Sequence, residues 1–117
     1  MTMRKLQTVV YREELEILPG RVTDIPISNY RRCIHVAPHR DPQKANSWLE
    51  VSFEAFVHEP AETMNVRFHV HGTGDRFDHE THGNPPMNLG VTHLGTVATH
   101  RGSLIWHVYV EYPIRGA

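Results

Sequence analysis

One stretch of the chain alternates apolar and polar residues so regularly that it constrains the fold more than any other feature. This stretch is WLEVSFEAFV, residues 48–57. Its apolar residues include Leu49, Val51, Phe53, Ala55 and Val57, and the residues between them include Glu50, Ser52 and Glu54. Successive side chains of a β-strand point to opposite faces, so a period of two predicts a strand with one buried and one solvated face.

A second stretch, MNVRFHVH at residues 64–71, has the same period, and the connection between the two, residues 58–63, has the length of a hairpin loop. We therefore expect the two strands to pair antiparallel, with Glu54 opposite Arg67 and Glu50 opposite His71. In this register Arg67 and His71 would belong to a charge ladder on a solvated face, with no ligand to bind.

The remaining patterns are also those of strands. LGTVAT (94–99) and SLIWHVYVEY (103–112) flank His100-Arg101-Gly102, which predicts a second hairpin with a positive φ at its glycine. Shorter strands are predicted at 6–11, 15–18 and 30–37, with Pro19-Gly20 and IPISN as breakers between them. We predict a single β domain over residues 1–117, a small antiparallel sandwich or partly open barrel of about six to eight strands.

Charge, hydropathy and cysteine content exclude several classes of protein. The formal net charge is −1 with neutral histidines, which does not favour non-specific binding to nucleic acid or to anionic lipid. No run approaches the roughly 20 apolar residues of a membrane helix, and the N-terminus lacks the apolar segment of a signal peptide. Cys33 is the only cysteine, so we expect no internal disulfide and a reducing, cytoplasmic environment.

Two residue types point to anion binding despite the neutral total. Arginine greatly outnumbers lysine, and its planar guanidinium matches the geometry of carboxylate and phosphate. The chain also contains 10 histidines, whose protonation at pH values around 6.5 would make it strongly positive.

A connection of roughly twenty residues without periodicity separates the strand ending at His71 from the strand beginning near Leu94. Connections longer than about 12–15 residues are uncommon in compact domains, and they are usually functional or disordered. This one opens with Gly72-Thr73-Gly74, contains Asn84-Pro85-Pro86, and is rich in charged and aromatic residues. We expect it to carry function.

A metal site is one interpretation of the histidines at this connection. His69 and His71 lie two residues apart on one strand face and can both ligate one Zn or Fe ion, which Asp75, His79 or His82 would complete. The H-x-H followed by an acid four residues later resembles part of a cupin metal motif, although Thr63 stands where that motif has glycine. Imidazoles that lie on the surface or contact an organic ligand are the other interpretation, and both stay open.

An anion site is the second candidate. Gly72-Thr73-Gly74 follows a strand and can present backbone N–H groups to a phosphate, although a plain strand-terminating turn would have the same sequence. Together with Thr73, the predicted ligand-binding residues are Arg67, His69, His71, Arg76, His107 and, from the separate loop HVAPHRD, His39 and Arg40. Arginines in such a set can clamp a phosphorylated ligand with two hydrogen bonds each.

Nucleophilic catalysis finds little support, and we predict no catalytic residues. Cys33 lies in the middle of a predicted strand, where a buried, unreactive thiol is the usual case. Ser103 lies near His107 in the sequence, but no nucleophile-elbow motif surrounds it.

The aromatic residues divide into two groups. Trp48, Trp106 and Phe68 are predicted to fill the core. Phe56 and Tyr109 fall on the opposite faces of their strands, where they suit a subunit interface or stacking against a base. Because a core of this size often gains stability from association, we expect a homo-oligomer.

Several of these motifs occur together in a known group of proteins. Gly72-Thr73-Gly74, Leu94-Gly95-Thr96, Gly102 and Trp106-His107-Val108 resemble the central turn, L-G-T strand, glycine turn and terminal W-H-V strand of an uncharacterised family of very small tailed-phage proteins. The resemblance runs from about Leu18 onward, and loop 75–88 looks longer and richer in histidine than in that family. It implies a phage accessory protein in the bacterial host cytoplasm, with no established activity.

We therefore predict an oligomeric binding module, without a cofactor, that sequesters a small anionic ligand. A cyclic nucleotide or an ADP-ribose derivative that signals in host immunity would fit this description. The alternative is a metal-dependent enzyme, cupin-like or hydrolytic, built on His69 and His71. A third possibility is an accessory protein that binds a host protein through Phe56 and Tyr109.

Overall fold

The computed structural model of the protein describes residues 7–57, 61–74 and 91–111. Within these ranges the chain forms two antiparallel β-sheets and one short 3-10 turn, His100–Gly102. The strands are β1 (Thr8–Glu16), β2 (Val22–Ser28), β3 (Tyr30–Pro38), β4 (Trp48–Phe56), β5 (Thr63–Gly72), β6 (Val91–Thr99) and β7 (Leu104–Glu111). The predicted all-β class is confirmed, and the two sheets do not close into a barrel.

Three strands form one sheet in the order β1-β4-β3, and four form the other in the order β2-β5-β7-β6. The hydrophobic core lies between the inner faces of the two sheets, as the alternation on β4 and β5 predicts. Its most completely buried side chains are Leu15, Leu49, Val51, Val66, Phe68 and Val108. Each contributes about 1.5–3 kcal/mol through removal of its apolar surface from water.

The aromatic residues predicted for the core occupy it unequally. Phe68 is fully buried, whereas Trp106 is half-buried and packs against the core. Trp48 is also half-buried, and the Lys44 ammonium lies 5.8 Å from the centre of its ring. That position corresponds to a cation–π contact at the sheet border.

The predicted hairpin between β4 and β5 is wrong. β4 pairs with β1 and β3, whereas β5 pairs with β2 and β7, so the connection between them passes from one sheet to the other. Glu54 therefore lies opposite Arg32, and Arg67 lies opposite Asp24 and Glu111. The alternation identifies the buried face of each strand correctly. It does not identify the partner strand, because both Glu54 and Arg67 find an oppositely charged residue in their actual sheets as well as in the predicted pair.

The second half of that register is wrong for the same reason. Glu50 lies opposite Glu14 and Ala37 in the three-stranded sheet, and His71 lies opposite His107 in the four-stranded sheet. His71 is buried rather than solvated. It is therefore not part of a charge ladder with Glu50.

The N-terminal region also differs from the prediction. The two short strands predicted at 6–11 and 15–18 are one continuous strand, β1, whose charged middle lies at an exposed sheet edge. The segment interpreted as a breaker, IPISN, mostly belongs to β2 (Val22–Ser28). β2 is an edge strand, and an edge accommodates Pro26, which has no N–H to donate to a neighbour.

The C-terminal hairpin is confirmed. β6 and β7 pair antiparallel around His100–Gly102, and Gly102 has a φ of 88°. His100 and Arg101 also have positive φ values, 53° and 56°, so the whole turn is left-handed. Strand β3 is confirmed as well, to within a residue of its predicted end. No helix in the described part of the chain is long and apolar enough to cross a membrane.

Candidate ligand-binding face

The outer face of the four-stranded sheet carries a group of contacting rings, which we call the imidazole face. It consists of His69 and His71 on β5, His93 on β6, and His107 and Tyr109 on β7. His69 lies opposite Tyr109, His71 opposite His107, and His93 opposite Tyr109. The face therefore spans three neighbouring strands.

The ring separations show that the patch is continuous. The centroids of His69 and His71 are 6.1 Å apart, and those of His93 and His107 are 6.2 Å apart. Tyr109 lies between these pairs, 6.3 Å from His71 and 5.2 Å from His93, edge-on to both. Such spacings are those of aromatic contacts in folded proteins.

The sequence brings most of these residues together by simple alternation, but His93 needs an irregularity in β6. The register shifts between His93, opposite Tyr109, and Gly95, opposite Val108. Because of this extra residue, His93 and Thr96 share a face although three positions separate them, and Thr96 Oγ1 lies 3.2 Å from His93 Nε2. Sequence reasoning missed His93, since it lies outside the predicted strand 94–99; a glycine within a strand pattern was the available signal of a bulge.

At one end of the face, charged groups pair with one another. Arg67 Nε donates to Asp24 Oδ1 at 2.9 Å, and His69 Nε2 lies 2.9 Å from Glu111 Oε1. Arg67 also lies opposite Glu111 across β5 and β7. This end therefore holds one permanent cation, Arg67, and two carboxylates, Asp24 and Glu111, and the Glu111 carboxylate is a hydrogen-bond partner of the His69 ring.

At the other end, hydroxyl groups surround His107. Its Nε2 lies 2.9 Å from Thr73 Oγ1, and its Nδ1 lies 3.1 Å from Thr96 Oγ1. A hydroxyl can either donate or accept, so His107 keeps both partners in either neutral tautomer and as the imidazolium. Both ring nitrogens of His107 are therefore engaged by hydroxyls in this structure.

Burial varies strongly across the face. His69 and His71 are 5% and 4% exposed, whereas His107 is half-buried and His93 is exposed. Buried charges are costly unless an opposite charge lies beside them. His93 and His107 are therefore the imidazoles of this face that a ligand from solvent meets first.

His39 and Arg40, predicted for the same site, belong instead to the three-stranded sheet, where they follow β3. The Asp41 backbone N–H donates to His39 Nδ1 at 3.0 Å, so in the neutral ring the proton is on Nε2, which donates to Glu14 Oε1 at 2.9 Å. Both ring nitrogens of His39 are thus engaged within the protein. The structure does not bring His39 and Arg40 onto the imidazole face.

Arg40 contributes to a second charged group, around Glu50. Its backbone N–H donates to Glu50 Oε1 at 2.9 Å, and its Nε lies 3.4 Å from the same oxygen. That backbone hydrogen bond and the charges of Arg40, His39 and Arg12 hold the pKa of Glu50 below its usual value, although burial raises it. Glu50 is therefore an ionised carboxylate in the fold and unsuited to act as an acid near neutral pH.

The remaining predicted residues were candidates for a metal site or for catalysis. Arg76, Asp75, His79 and His82 lie outside the described residues. Within residues 7–57, 61–74 and 91–111, no group of three or more His, Cys, Asp or Glu side chains is arranged to hold an ion. The metal site therefore stays a prediction in which Asp75, His79 or His82 would complete the ligands.

Neither candidate nucleophile has the surroundings of an activated one. Burial raises the pKa of the Cys33 thiol, which disfavours the reactive thiolate. Ser103 Oγ donates to the His100 carbonyl at 2.7 Å and thereby closes the β6–β7 turn. Phe56 and Tyr109, proposed together as a protein-binding surface, lie on different sheets.

Comparison with known proteins adds a family but no activity. Searches of curated proteins and of solved structures found no significant match to the chain. A family model, described as a domain of unknown function (DUF7352), matches residues 6–115, which include every strand of both sheets. The chain therefore belongs to the DUF7352 family.

Proposed function

We propose that the protein is a binding module that takes a small anionic ligand on the imidazole face. The observation that carries the proposal is the contact of four imidazoles and one tyrosine ring on a single sheet face. Arg67 lies two residues before His69 on the same face of β5, opposite Glu111. Imidazolium N–H groups are strong donors to carboxylate and phosphate oxygens. Tyr109 and the imidazole rings also offer flat surfaces against which a planar group can stack.

The anion would engage the hydroxyl-lined end of the face. Among the described residues, the hydrogen-bond partners of His107 are the Thr73 and Thr96 hydroxyls, 2.9 and 3.1 Å away, and neither is a carboxylate. At the opposite end, Glu111 lies beside His69 and Asp24 lies beside Arg67, which makes that end less favourable for an anion. Because Thr73 and Thr96 already engage both ring nitrogens of His107, an anion at this end would either accept from the Thr73 hydroxyl or displace it from the ring. The ligand is therefore expected at His93, His107 and Thr73.

Binding without transformation agrees with the rest of the site. The described residues offer no activated nucleophile, because the Cys33 thiol has a raised pKa and Ser103 is engaged in the β6–β7 turn. Sequestration of a ligand requires affinity and abundance but no reacting group. In its specific form, supported by the resemblance to tailed-phage proteins, we propose that the ligand is a nucleotide that signals in host immunity and that the protein acts in the host cytoplasm.

Ligand titrations followed by NMR of the histidine side chains test this proposal. Pyrophosphate, ADP-ribose and a cyclic dinucleotide serve as probes, and at least one should shift the ring resonances of His93 and His107. The double variant His93→Ala, His107→Ala should weaken its binding by about tenfold or more. His35→Ala is the matched control, since His35 is an exposed histidine on the other sheet. If no probe moves these resonances at millimolar concentration, or if the control weakens binding equally, the proposal is wrong.

A metal-dependent enzyme is the second candidate function. It is favoured by the near-parallel rings of His69 and His71, 6.1 Å apart on the same strand face. Elemental analysis of protein purified without a histidine tag distinguishes the two functions. A metal content near one equivalent, with a higher Tm on addition of Zn²⁺, would support the enzyme, whereas less than about a tenth of an equivalent and an unchanged Tm would exclude it.

A further inference from the structure

A cavity of about 350 Å³ adjoins the imidazole face at the end where β5 ends and β7 begins. The residues that line it include Pro19, Thr73, Ser103, Leu104, Ile105 and Trp106. Its volume lies at the lower end of the range of small-molecule sites, about 300–1,000 Å³. A cavity of about 150 Å³ is enough to hold benzene, so this one has room for two fused rings.

The cavity has a mainly apolar wall. Leu104 and Ile105 are 40% and 36% exposed, so large apolar surfaces remain in contact with solvent here instead of joining the core. Trp106 is held in place because its indole N–H donates to Thr99 Oγ1 at 2.9 Å. Trp106 packs against the core and Leu104 shares its face of β7, whereas Ile105 lies on the opposite face, so side chains of both faces line the cavity at the end of the strand. The fixed indole has little conformational entropy to lose on binding a flat ring.

The cavity and the imidazole face share Thr73. Its hydroxyl lies 2.9 Å from His107 Nε2, and the same residue lines the cavity. Ile105 and His107 also lie two positions apart on β7, so they share one face of that strand. A ligand whose acidic group lies at His107 can therefore extend into the cavity.

We propose that this cavity is the specificity pocket of the binding site and that it takes the flat, uncharged ring system of the ligand. The ligand class is then a phosphate ester that carries a flat ring system the size of a purine, with its phosphate at His107 and Thr73. This inference rests on the proposed function for the anionic half of the ligand. It adds the requirement for a ring, which the imidazole face alone does not impose.

Calorimetry with three probes separates the two halves of the site: inorganic phosphate, 2-naphthyl phosphate and 2-naphthol. We expect 2-naphthyl phosphate to bind at least about tenfold more tightly than phosphate. The chain has 2 tryptophans, so the variant Trp48→Phe assigns the indole N–H resonance of Trp106. That resonance should shift with 2-naphthyl phosphate and stay unchanged with phosphate.

Paired variants make the test specific. Ile105→Ser should reduce the affinity for 2-naphthyl phosphate to that for phosphate and leave phosphate binding unchanged. Ile34→Ser is its control, because Ile34 is an isoleucine of similar exposure, 42%, on the other sheet. Unchanged amide spectra of both variants would show that each is folded.

The possible failures are distinguishable. If phosphate and 2-naphthyl phosphate bind equally well, the pocket is refuted and the anion site stands. If 2-naphthol binds as tightly as 2-naphthyl phosphate, the ring pocket stands, but its link to an anion site is overturned, and the proposed function with it. Equal losses from Ile105→Ser and Ile34→Ser would also refute the pocket.

Discussion

Alanine at position 95 should destabilise the protein, because the space between the two sheets has no room for a Cβ there. A Cβ built on Gly95 would lie 2.7 Å from Val36 Cγ1, whereas carbon atoms in favourable contact are about 3.5–4.0 Å apart. Val36 is 6% exposed on β3, and its β-branched side chain has few alternative rotamers. The sheets would have to separate, or Val36 would have to leave its preferred rotamer.

The expected cost follows from two opposing effects. An extra carbon in a packed core costs about 1–3 kcal/mol. Replacing glycine by alanine within a strand returns about 0.5–1 kcal/mol, because the unfolded chain loses less conformational entropy on folding. Gly95→Ala should therefore lower the free energy of unfolding by up to about 2.5 kcal/mol. In a Val36→Ala background, where Cγ1 is absent, the same substitution should instead raise it by about 0.5–1 kcal/mol.

Urea unfolding of the four proteins of this double-mutant cycle measures that change of sign. Ala98→Gly, at an exposed position of the same strand, is the control, since it measures the glycine effect without a steric contact. A cost of Gly95→Ala that is equal in both backgrounds would refute the reasoning. A stabilisation by Gly95→Ala in the otherwise unaltered protein would also refute it.

Three further predictions concern the three-stranded sheet. Hydrogen bonds from Arg32 and then Arg31 lower the pKa of Glu54. The ionised Glu54 carboxylate therefore stabilises the fold above the unfolded-state pKa of about 4.3, and this contribution is lost as the pH falls through the folded-state pKa. Urea midpoints measured from pH 6 down to pH 2 should therefore fall less steeply for Glu54→Gln than for the unaltered protein. His39→Ala should lower the free energy of unfolding by about 1–3 kcal/mol, because the Asp41 N–H loses its acceptor; urea unfolding at pH 7 measures this, and an unchanged stability would contradict it. Burial raises the pKa of Cys33, so its reaction with a thiol reagent at pH 8 should be at least about tenfold slower than in unfolded protein, and equal rates would contradict this expectation.

The parts of the fold that follow from local sequence could be predicted. The hairpin joins two strands that follow one another in the sequence, β6 and β7, through a three-residue turn. Gly102 has a positive φ in this turn, and a glycine at a turn predicts such a φ from the local sequence alone. The buried faces of β4 and β5 also follow from alternation, since Val51 and Phe68 lie where the period of two places them. Each of these conclusions depends only on residues close together in the chain.

Strand pairing between distant segments could not be predicted in the same way. Glu54 has acceptable cationic partners in either sheet, Arg67 on β5 in the predicted register and Arg32 on β3 in the actual one. A cross-strand ion pair is worth only about 0.2–1 kcal/mol, which is too little to select one topology. The choice depends on how the two inner faces pack together, and the sequence pattern of a single strand does not contain that information.

The candidate site was predictable in part, for the same physical reason. Arg67, His69 and His71 share one face of β5, and the hairpin brings His107 beside them, so alternation and one local turn were sufficient. Placing His93 required the bulge between His93 and Gly95, and the alternation of apolar and polar residues does not contain that irregularity. His39 and Arg40 were grouped with the others by residue type alone, and residue type does not determine which sheet a loop belongs to.

The outer faces of the two sheets differ in a way that supports our proposal of a ligand site on the imidazole face. On the three-stranded sheet, the carboxylates of Glu50 and Glu54 already have arginine partners, so that charge is balanced within the fold. On the imidazole face, the described hydrogen-bond partners of His107 are both hydroxyls, and His93 lies beside a hydroxyl and neighbouring rings. No carboxylate within the described residues is hydrogen-bonded to either ring, so an anion bound at this end would meet no competing negative charge there. This contrast between the two sheets supports the proposed ligand site on the imidazole face.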